Sequence, residues 1–179
     1  GGIYHTNEIV NVYDLNKDGY KDIILGNNSG EDISIIKGIG NAEFDVQVLY
    51  PTFGENDYTG VAVADFNQDG NKDIAVSSTD SLDRLSVYYS DLNGVLGVPT
   101  RFSKPRVSSA GHQKKPISGD FNQDGFLDIV YSDVIFVGSV SGITSQTFVI
   151  NPMVLGTGDF NKDGKTDLVT YGHQYAIGV

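Results

Sequence analysis

The apolar residues of this chain fall into short segments that are rich in β-branched side chains and are separated by glycine, proline, asparagine and aspartate. Such segments are typical of β-strands, because branched side chains fit a pleated surface and the polar residues between them favour turns. No window of 11 or more residues carries an apolar stripe at helical spacing. The pattern predicts strands within 8–15, 21–26, 33–38, 44–50, 59–66, 72–78, 84–90, 99–103, 115–121, 127–132, 134–140, 146–150, 154–160, 166–172 and 174–179.

One polar segment recurs four times between these strands. It reads DLNKDGYKDI from Asp14, DFNQDGNKDI from Asp65, DFNQDGFLDI from Asp120 and DFNKDGKTDL from Asp159. The copies begin 51, 55 and 39 residues apart, which is in the size range of propeller-blade repeats. We call these segments loops 1 to 4 and number their positions from the first aspartate.

Comparison of the four copies separates the roles of the positions. Position 2 is always large and apolar, which predicts that it points into a core, and position 4 is always long and polar, which predicts that it faces water. Position 7 has no common chemistry, as expected of a residue that contributes only its backbone carbonyl. Position 10 is always Ile or Leu, where the next strand begins.

Each repeat has room for four antiparallel strands, which predicts an all-β fold of β-propeller blades. The first strand is expected to be innermost, since Ala64, Gly119 and Gly158 fit a crowded axis, although Tyr13 does not. A β-sandwich or a solenoid is the alternative architecture. We predict one repeat domain over 1–179, with an incomplete last blade and blades at approximately 1–50, 51–103, 104–150 and 151–179.

The loops have the chemistry of a calcium site. Calcium takes about six to eight oxygen ligands, and oxygen-bearing side chains at positions 1, 3 and 5 of a tight loop converge when glycine at position 6 allows the turn. The carbonyl of position 7 and the carboxylate of position 9 would complete much of the shell. The predicted ligands are Asp14, Asn16, Asp18, Tyr20, Asp22, Asp65, Asn67, Asp69, Asn71, Asp73, Asp120, Asn122, Asp124, Phe126, Asp128, Asp159, Asn161, Asp163, Lys165 and Asp167.

Three other interpretations match the loops less well. An EF-hand needs a glutamate at position 12 and flanking helices, whereas here that position holds Leu25, Val76, Tyr131 or Thr170 and the flanks are strands. A simple polar turn needs no acidic group at position 9, yet every copy has one. Magnesium demands octahedral geometry and keeps several waters, so calcium is the better match.

The charge of the chain is concentrated in these loops, which hold 12 of its 23 acidic residues. Four calcium ions would bring the formal charge from −11 to −3. The negative charge argues against nucleic acid as a partner, and no apolar run is long enough to predict a membrane span. The chain has no cysteine, which excludes disulfides and zinc–thiolate sites.

The four loops resemble the FG-GAP/VCBS repeats of integrin alpha-chain-like β-propellers. The resemblance implies a propeller, usually of seven blades, with calcium in the loops and ligand binding elsewhere. The Phe-Gly and Gly-Ala-Pro elements are essentially absent, so the chain is more similar to the VCBS-type repeats of secreted and surface proteins. We therefore expect an extracellular or cell-surface location, and no ligand site of the family can be transferred.

Four repeats are too few for the usual ring that this resemblance implies. A closed four-bladed ring would need residues 3–6 to supply the missing strand. We favour the alternative, a fragment or half of a larger propeller, which self-association or a partner chain would complete.

The expected function is a calcium-stabilised binding or adhesion module that recognises a protein or a glycan. The alternatives are a propeller-type lectin, in which some of the ten tyrosines stack on sugars, and a domain of an extracellular polysaccharide-degrading enzyme. We expect no enzymatic activity, because His5, His112 and His173 are isolated and no nucleophile or phosphate-binding motif is present.

Overall fold

The computed structural model describes residues 7–27, 32–51, 58–78, 84–103, 115–131, 134–144, 147–149 and 153–171. Every regular element in these ranges is a β-strand, so the predicted all-β class is confirmed. The same ranges contain no helix that is long and apolar enough to cross a membrane.

The strands form antiparallel sheets that follow one another along the chain, as the propeller prediction requires. Blade 1 has the order β1-β2-β3-β6 and consists of β1 (Asn7–Tyr13), β2 (Asp22–Asn27), β3 (Asp32–Ile36) and β6 (Val48–Pro51). A small hairpin that the sequence did not predict, β4 (Gly38–Gly40) with β5 (Glu43–Phe44), lies between its third and fourth strands.

Blades 2 and 3 repeat this arrangement. Blade 2 consists of β7 (Tyr58–Ala64), β8 (Asp73–Ser78), β9 (Arg84–Tyr88) and β10 (Thr100–Ser103), and blade 3 of β11 (Ile117–Gly119), β12 (Asp128–Tyr131), β13 (Val134–Phe136) and β14 (Thr147–Val149). Blade 4 pairs β15 (Met153–Gly158) with β16 (Asp167–Tyr171). The strand predicted at 174–179 lies outside the described residues.

The first strands of the blades lie side by side, as expected for the innermost strands of a propeller. Strand β7 contacts β1 and β11, and β11 contacts β15. Residues from all four of these strands line one open cavity of about 300 Å³. The first-strand prediction is therefore confirmed.

Apolar side chains from both faces of each sheet fill the spaces between blades. Position 10 faces the preceding blade, so that Ile74 packs with blade 1 and Ile129 with blade 2. The next residue points to the opposite face, as successive residues of a strand do, and Ala75 packs with blade 3. Both faces of a central blade are thus buried, which explains why every residue of β8 is buried.

Position 2 of loops 1 to 3 inserts into the interface with the following blade. Leu15 and Phe66 are almost fully buried there, and Phe121 packs partly buried against the cluster shared with blade 4. Phe160 of loop 4 is 64% exposed, because the described chain has no further blade to cover it. The prediction of a core position is confirmed for the first three loops and wrong for the fourth.

Buried tyrosines connect neighbouring blades through their hydroxyl groups. Tyr88 donates to the carbonyl oxygen of Pro51 at 3.0 Å, and Tyr131 donates to that of Ser78 at 2.9 Å. Both side chains are 1% exposed, so neither can offer a ring to a sugar. They pack between strands, which was the more ordinary expectation for these residues.

The arc of blades is not closed into a ring. On the outward face of blade 4, Leu155, Phe160 and Val169 are exposed apolar side chains, and Val12 of β1 is 51% exposed at the other end. The closed four-bladed ring is therefore not the observed arrangement, and residues 3–6, which it required, lie outside the described residues.

Replacing Phe66 with alanine should lower the free energy of unfolding by about 3–5 kcal/mol, because a fully buried phenyl group between blades 2 and 3 is removed. Phe160→Ala changes the same loop position at an exposed site and should cost less than about 0.5 kcal/mol. Urea denaturation, at a concentration where the chain is monomeric, measures both. Equal losses would contradict the assignment of position 2 to the blade interfaces.

Candidate metal centres

Each loop joins the first strand of its blade to the second. Its backbone makes the turn with two residues in the left-handed region, at positions 4 and 6. Glycine at position 6 has φ between 86° and 89° in the four loops and takes this conformation without cost. Position 4 is Lys or Gln with φ between 56° and 62°, which side chains other than glycine adopt rarely. No residue type at position 4 signals this second left-handed conformation.

The aspartate at position 1 accepts two backbone hydrogen bonds in every loop. In loop 1 the two oxygens of Asp14 accept from the N–H groups of Asp18 at 3.1 Å and Gly19 at 3.0 Å. The other three loops repeat both contacts at 2.9–3.2 Å. This carboxylate therefore fixes the turn from inside.

Positions 3 and 5 form a second repeated unit. In loop 1, Asn16 Oδ1 accepts from the N–H of Asp18 at 3.2 Å, and Asn16 Nδ2 donates to Asp18 Oδ2 at 2.8 Å. The other oxygen of Asp18 accepts from the N–H of Tyr20 at 2.8 Å. The same three bonds recur in loops 2, 3 and 4. Oxygens of positions 1 and 3 thus converge on one N–H group.

The aspartate at position 9 connects the loop to the outer part of its blade. Asp73 Oδ2 accepts from the N–H of Phe66 at 2.9 Å, and its Oδ1 accepts from that of Ser90, just after the third strand, at 3.0 Å. Asp22 and Asp128 make the equivalent pairs of bonds, with Gly38 and Gly138 as the distant donors. All three carboxylates are 0% exposed. The sequence indicated the acidic residue but not its distant partners, because these donate through backbone N–H groups and belong to no sequence motif.

Burial and neighbouring negative charge act on these carboxyl groups. Burial, with a smaller contribution from the charges of Asp69 and Asp65, raises the pKa of Asp73 to about 6 against the opposing hydrogen bonds. Burial also raises the pKa of Asp128, with a smaller contribution in the same direction from Asp124. The carboxylates of a loop therefore lie close enough to repel one another, and a bound cation would relieve this repulsion.

The loop residues fit a hard cation in their donor chemistry. The side chains at positions 1, 3, 5 and 9 offer oxygen ligands, the type that calcium and magnesium prefer. Among the described residues no three acidic, cysteine or histidine side chains are grouped as a metal cluster. The carbonyls of Tyr20, Asn71, Phe126 and Lys165 stay predicted ligands.

Position 4 does not simply face water as predicted. Lys17 and Gln68 are exposed overall, but the ends of their side chains contact the loop of the next blade. Lys17 Nζ donates to Asn71 Oδ1 at 2.9 Å, and Gln68 Nε2 donates to the carbonyl oxygen of Gly125. Sequence reasoning missed these contacts, although the uniform length of position 4 was the available signal.

Comparison with known proteins defines the class to which this architecture corresponds. Residues 14–76 match the FG-GAP-like repeat family. Human integrin alpha-6 is 33% identical over 144 residues, which cover 74% of this chain and 12% of the integrin. The chain is therefore an integrin-like protein with FG-GAP-like repeats, as the resemblance of the loops predicted. It spans only that small share of the integrin's length.

Replacing Asp128 with asparagine should lower the free energy of unfolding by about 1–3 kcal/mol in the presence of a chelator. The amide keeps one acceptor oxygen, so the buried N–H of either Phe121 or Gly138 loses its partner. Asp45→Asn is the matched control, since it removes the same charge at an exposed site where one oxygen accepts from Val46. Chemical denaturation measures both variants. An equal loss of unfolding free energy in the two variants would show that the stabilisation comes from the negative charge and not from the paired hydrogen bonds.

Proposed function

We propose that this chain is a calcium-stabilised extracellular module for adhesion or binding, with one cation in each of its four loops. The observation that carries the proposal is the recurrence of one loop geometry in four blades, with the same oxygen-bearing side chains at positions 1, 3, 5 and 9. A simple turn would not need to repeat this donor set.

Calcium would neutralise the carboxylates of a loop and hold them together. The side chains at positions 1, 3 and 5, the carbonyl of position 7 and the carboxylate of position 9 would bind it in each loop. Calcium is favoured over magnesium because the loop offers several protein oxygens in an irregular arrangement. Since position 9 is also bonded to the outer blade, ion binding would stabilise the whole blade and appear as folding free energy.

The ligand of the module is proposed to be a protein or a glycan, bound away from the loops. The similarity to human integrin alpha-6 supports an adhesion role and an extracellular or cell-surface location. The formal charge of −11 disfavours nucleic acid as a partner. We further propose that the chain is not an enzyme, since outside the four loops the sequence shows no paired carboxylates with a catalytic pattern.

Calcium should raise the melting temperature of the chain, and a chelator should reverse the effect. At a free calcium concentration 100 times the dissociation constant, each site would add about 2.7 kcal/mol to the free energy of unfolding. Differential scanning fluorimetry with and without a chelator measures the shift, and equilibrium dialysis gives the stoichiometry. Magnesium at the same concentration should stabilise less. No shift with calcium would overturn the proposed function.

Asp69→Asn should remove the ion of loop 2 and leave the ions of the other three loops bound. Position 5 bonds within its own loop, so the loss stays local. The expected stoichiometry is three ions, with a lower melting temperature in calcium. The control Asp45→Asn should keep four. A loss of all four ions would mean that the loops do not bind independently.

The alternative of a propeller-type lectin predicts sugar binding that depends on calcium. Tyr88 and Tyr131 do not support it, because both are buried between blades. A glycan array probed in calcium, with a protein array in parallel, separates the two ligand classes.

We also propose that a second copy of the chain covers the exposed face of blade 4. Leu155, Phe160 and Val169 lie where the preceding blades each receive a neighbour, and exposed apolar faces of this kind favour association. Sedimentation velocity over a range of concentrations shows whether the chain associates.

A further inference from the structure

Two successive blade interfaces share a contact that joins one candidate metal loop to the next. In both, the side chain at position 4 leaves its own loop and reaches the turn of the following loop. Lys17 Nζ lies 2.9 Å from Asn71 Oδ1, and Gln68 Nε2 donates to the carbonyl oxygen of Gly125. A forward hydrogen bond from position 4 thus occurs at both interfaces, although it ends on the side chain of position 7 in loop 2 and on the backbone of position 6 in loop 3.

Position 4 has the same backbone conformation in all four loops. Lys17 and Gln68 have φ of 60° and 56°, and the same left-handed conformation recurs at Gln123 and Lys162. Non-glycine residues adopt this region at a cost, so the loop geometry must impose it. Lysine and glutamine are both long enough to reach the next loop, and position 4 holds only these two residue types.

The contact of Lys17 ends at a residue of the predicted metal shell of loop 2. Asn71 occupies position 7 of loop 2, whose carbonyl is a predicted ligand, and its N–H donates to Asp69 Oδ1 at 2.7 Å. The ammonium group of Lys17 is therefore two hydrogen bonds away from a ligand carboxylate of loop 2. Asn71 is only 5% exposed, so water screens this charge less than at a free surface.

The two interfaces differ in charge. Lysine brings a full positive charge to loop 2, whereas glutamine brings only an amide dipole to loop 3. A positive charge beside a divalent cation site opposes ion binding, while the hydrogen bond alone orders the turn.

We propose that position 4 of each loop sets the cation affinity of the loop in the next blade. Lys17 then lowers the calcium affinity of loop 2, whereas Gln68 does not lower the calcium affinity of loop 3. The inference rests on the proposed function, since it requires that the loops bind calcium. It makes loop 2 the site that loads at higher calcium concentration than loop 3.

Lys17→Gln is the direct test, because glutamine retains a hydrogen-bond donor and removes the charge. At low salt the calcium affinity of loop 2 should rise about two- to fivefold, the size expected for one partly screened charge acting on a divalent ion. The reciprocal variant Gln68→Lys should lower the affinity of loop 3 by a similar factor. Competition with a chromophoric chelator measures the site affinities.

A double-mutant cycle assigns the effect to loop 2. In the background of Asp69→Asn, which disables loop 2, Lys17→Gln should lose its effect apart from any change at loop 1. Lys162→Gln measures how much a position 4 charge affects the calcium affinity of its own loop, because loop 4 is the last of the four loops in residues 1–179. The melting temperature in chelator should be nearly the same for Lys17→Gln and the unchanged chain, since the donor is kept.

The outcomes separate the two proposals. If no variant binds calcium, the proposed function fails. If calcium binds but Lys17→Gln leaves the affinity of loop 2 unchanged, or changes it equally in the Asp69→Asn background, only the coupling between loops is overturned. Loss of calcium binding in Lys17→Gln would also overturn it, because the charge would then assist and not oppose the ion.

Discussion

The architecture depends on one constraint: both faces of each sheet are apolar, so every blade needs a neighbour on either side. Successive residues of a strand point to opposite faces, and in β8 Ile74 packs against blade 1 while Ala75 packs against blade 3. A blade therefore cannot bury its core alone, and the fold exists only as a row of blades. The exposed position of Phe160 follows from the same constraint, since it belongs to the last face of the row.

The buried aspartate at position 9 of loops 1 to 3 is the polar counterpart of these apolar contacts. It is removed from water, yet both oxygens are satisfied by N–H groups from two separate parts of the blade. A buried carboxylate of this kind is costly unless it is fully bonded, so it specifies how the loop sits against the third strand. Burial, and to a smaller extent the charges of Asp69 and Asp65, raise the pKa of Asp73 above its usual value. A bound cation would offset the repulsion between these carboxylates.

The sequence allowed prediction of those features that depend on local residues. Strand positions follow from β-branched segments, and the four loops follow from a repeated spacing with glycine at position 6. The partners of position 9 could not be predicted, because Ser90 and Gly138 donate through the backbone and any residue type would serve. The left-handed conformation of Lys17 could not be predicted either, because lysine is not a residue type that favours this conformation. The exposure of Phe160 depends on a neighbour and not on its own sequence.

The contacts between blades run in both directions along the row. Positions 2 and 4 reach forward, as Phe66 and Gln68 do toward blade 3, and the hydroxyl group of Tyr131 reaches back from blade 3 to Ser78. Within the described residues these contacts join neighbouring blades, and the stability of such a row is approximately a sum of blade and interface terms. Because the forward polar contact ends in the next loop, an ion bound in that loop would act on the same turn as the packing of the adjoining interface. A change in one loop should therefore alter the stability of the neighbouring blade more than that of any other blade.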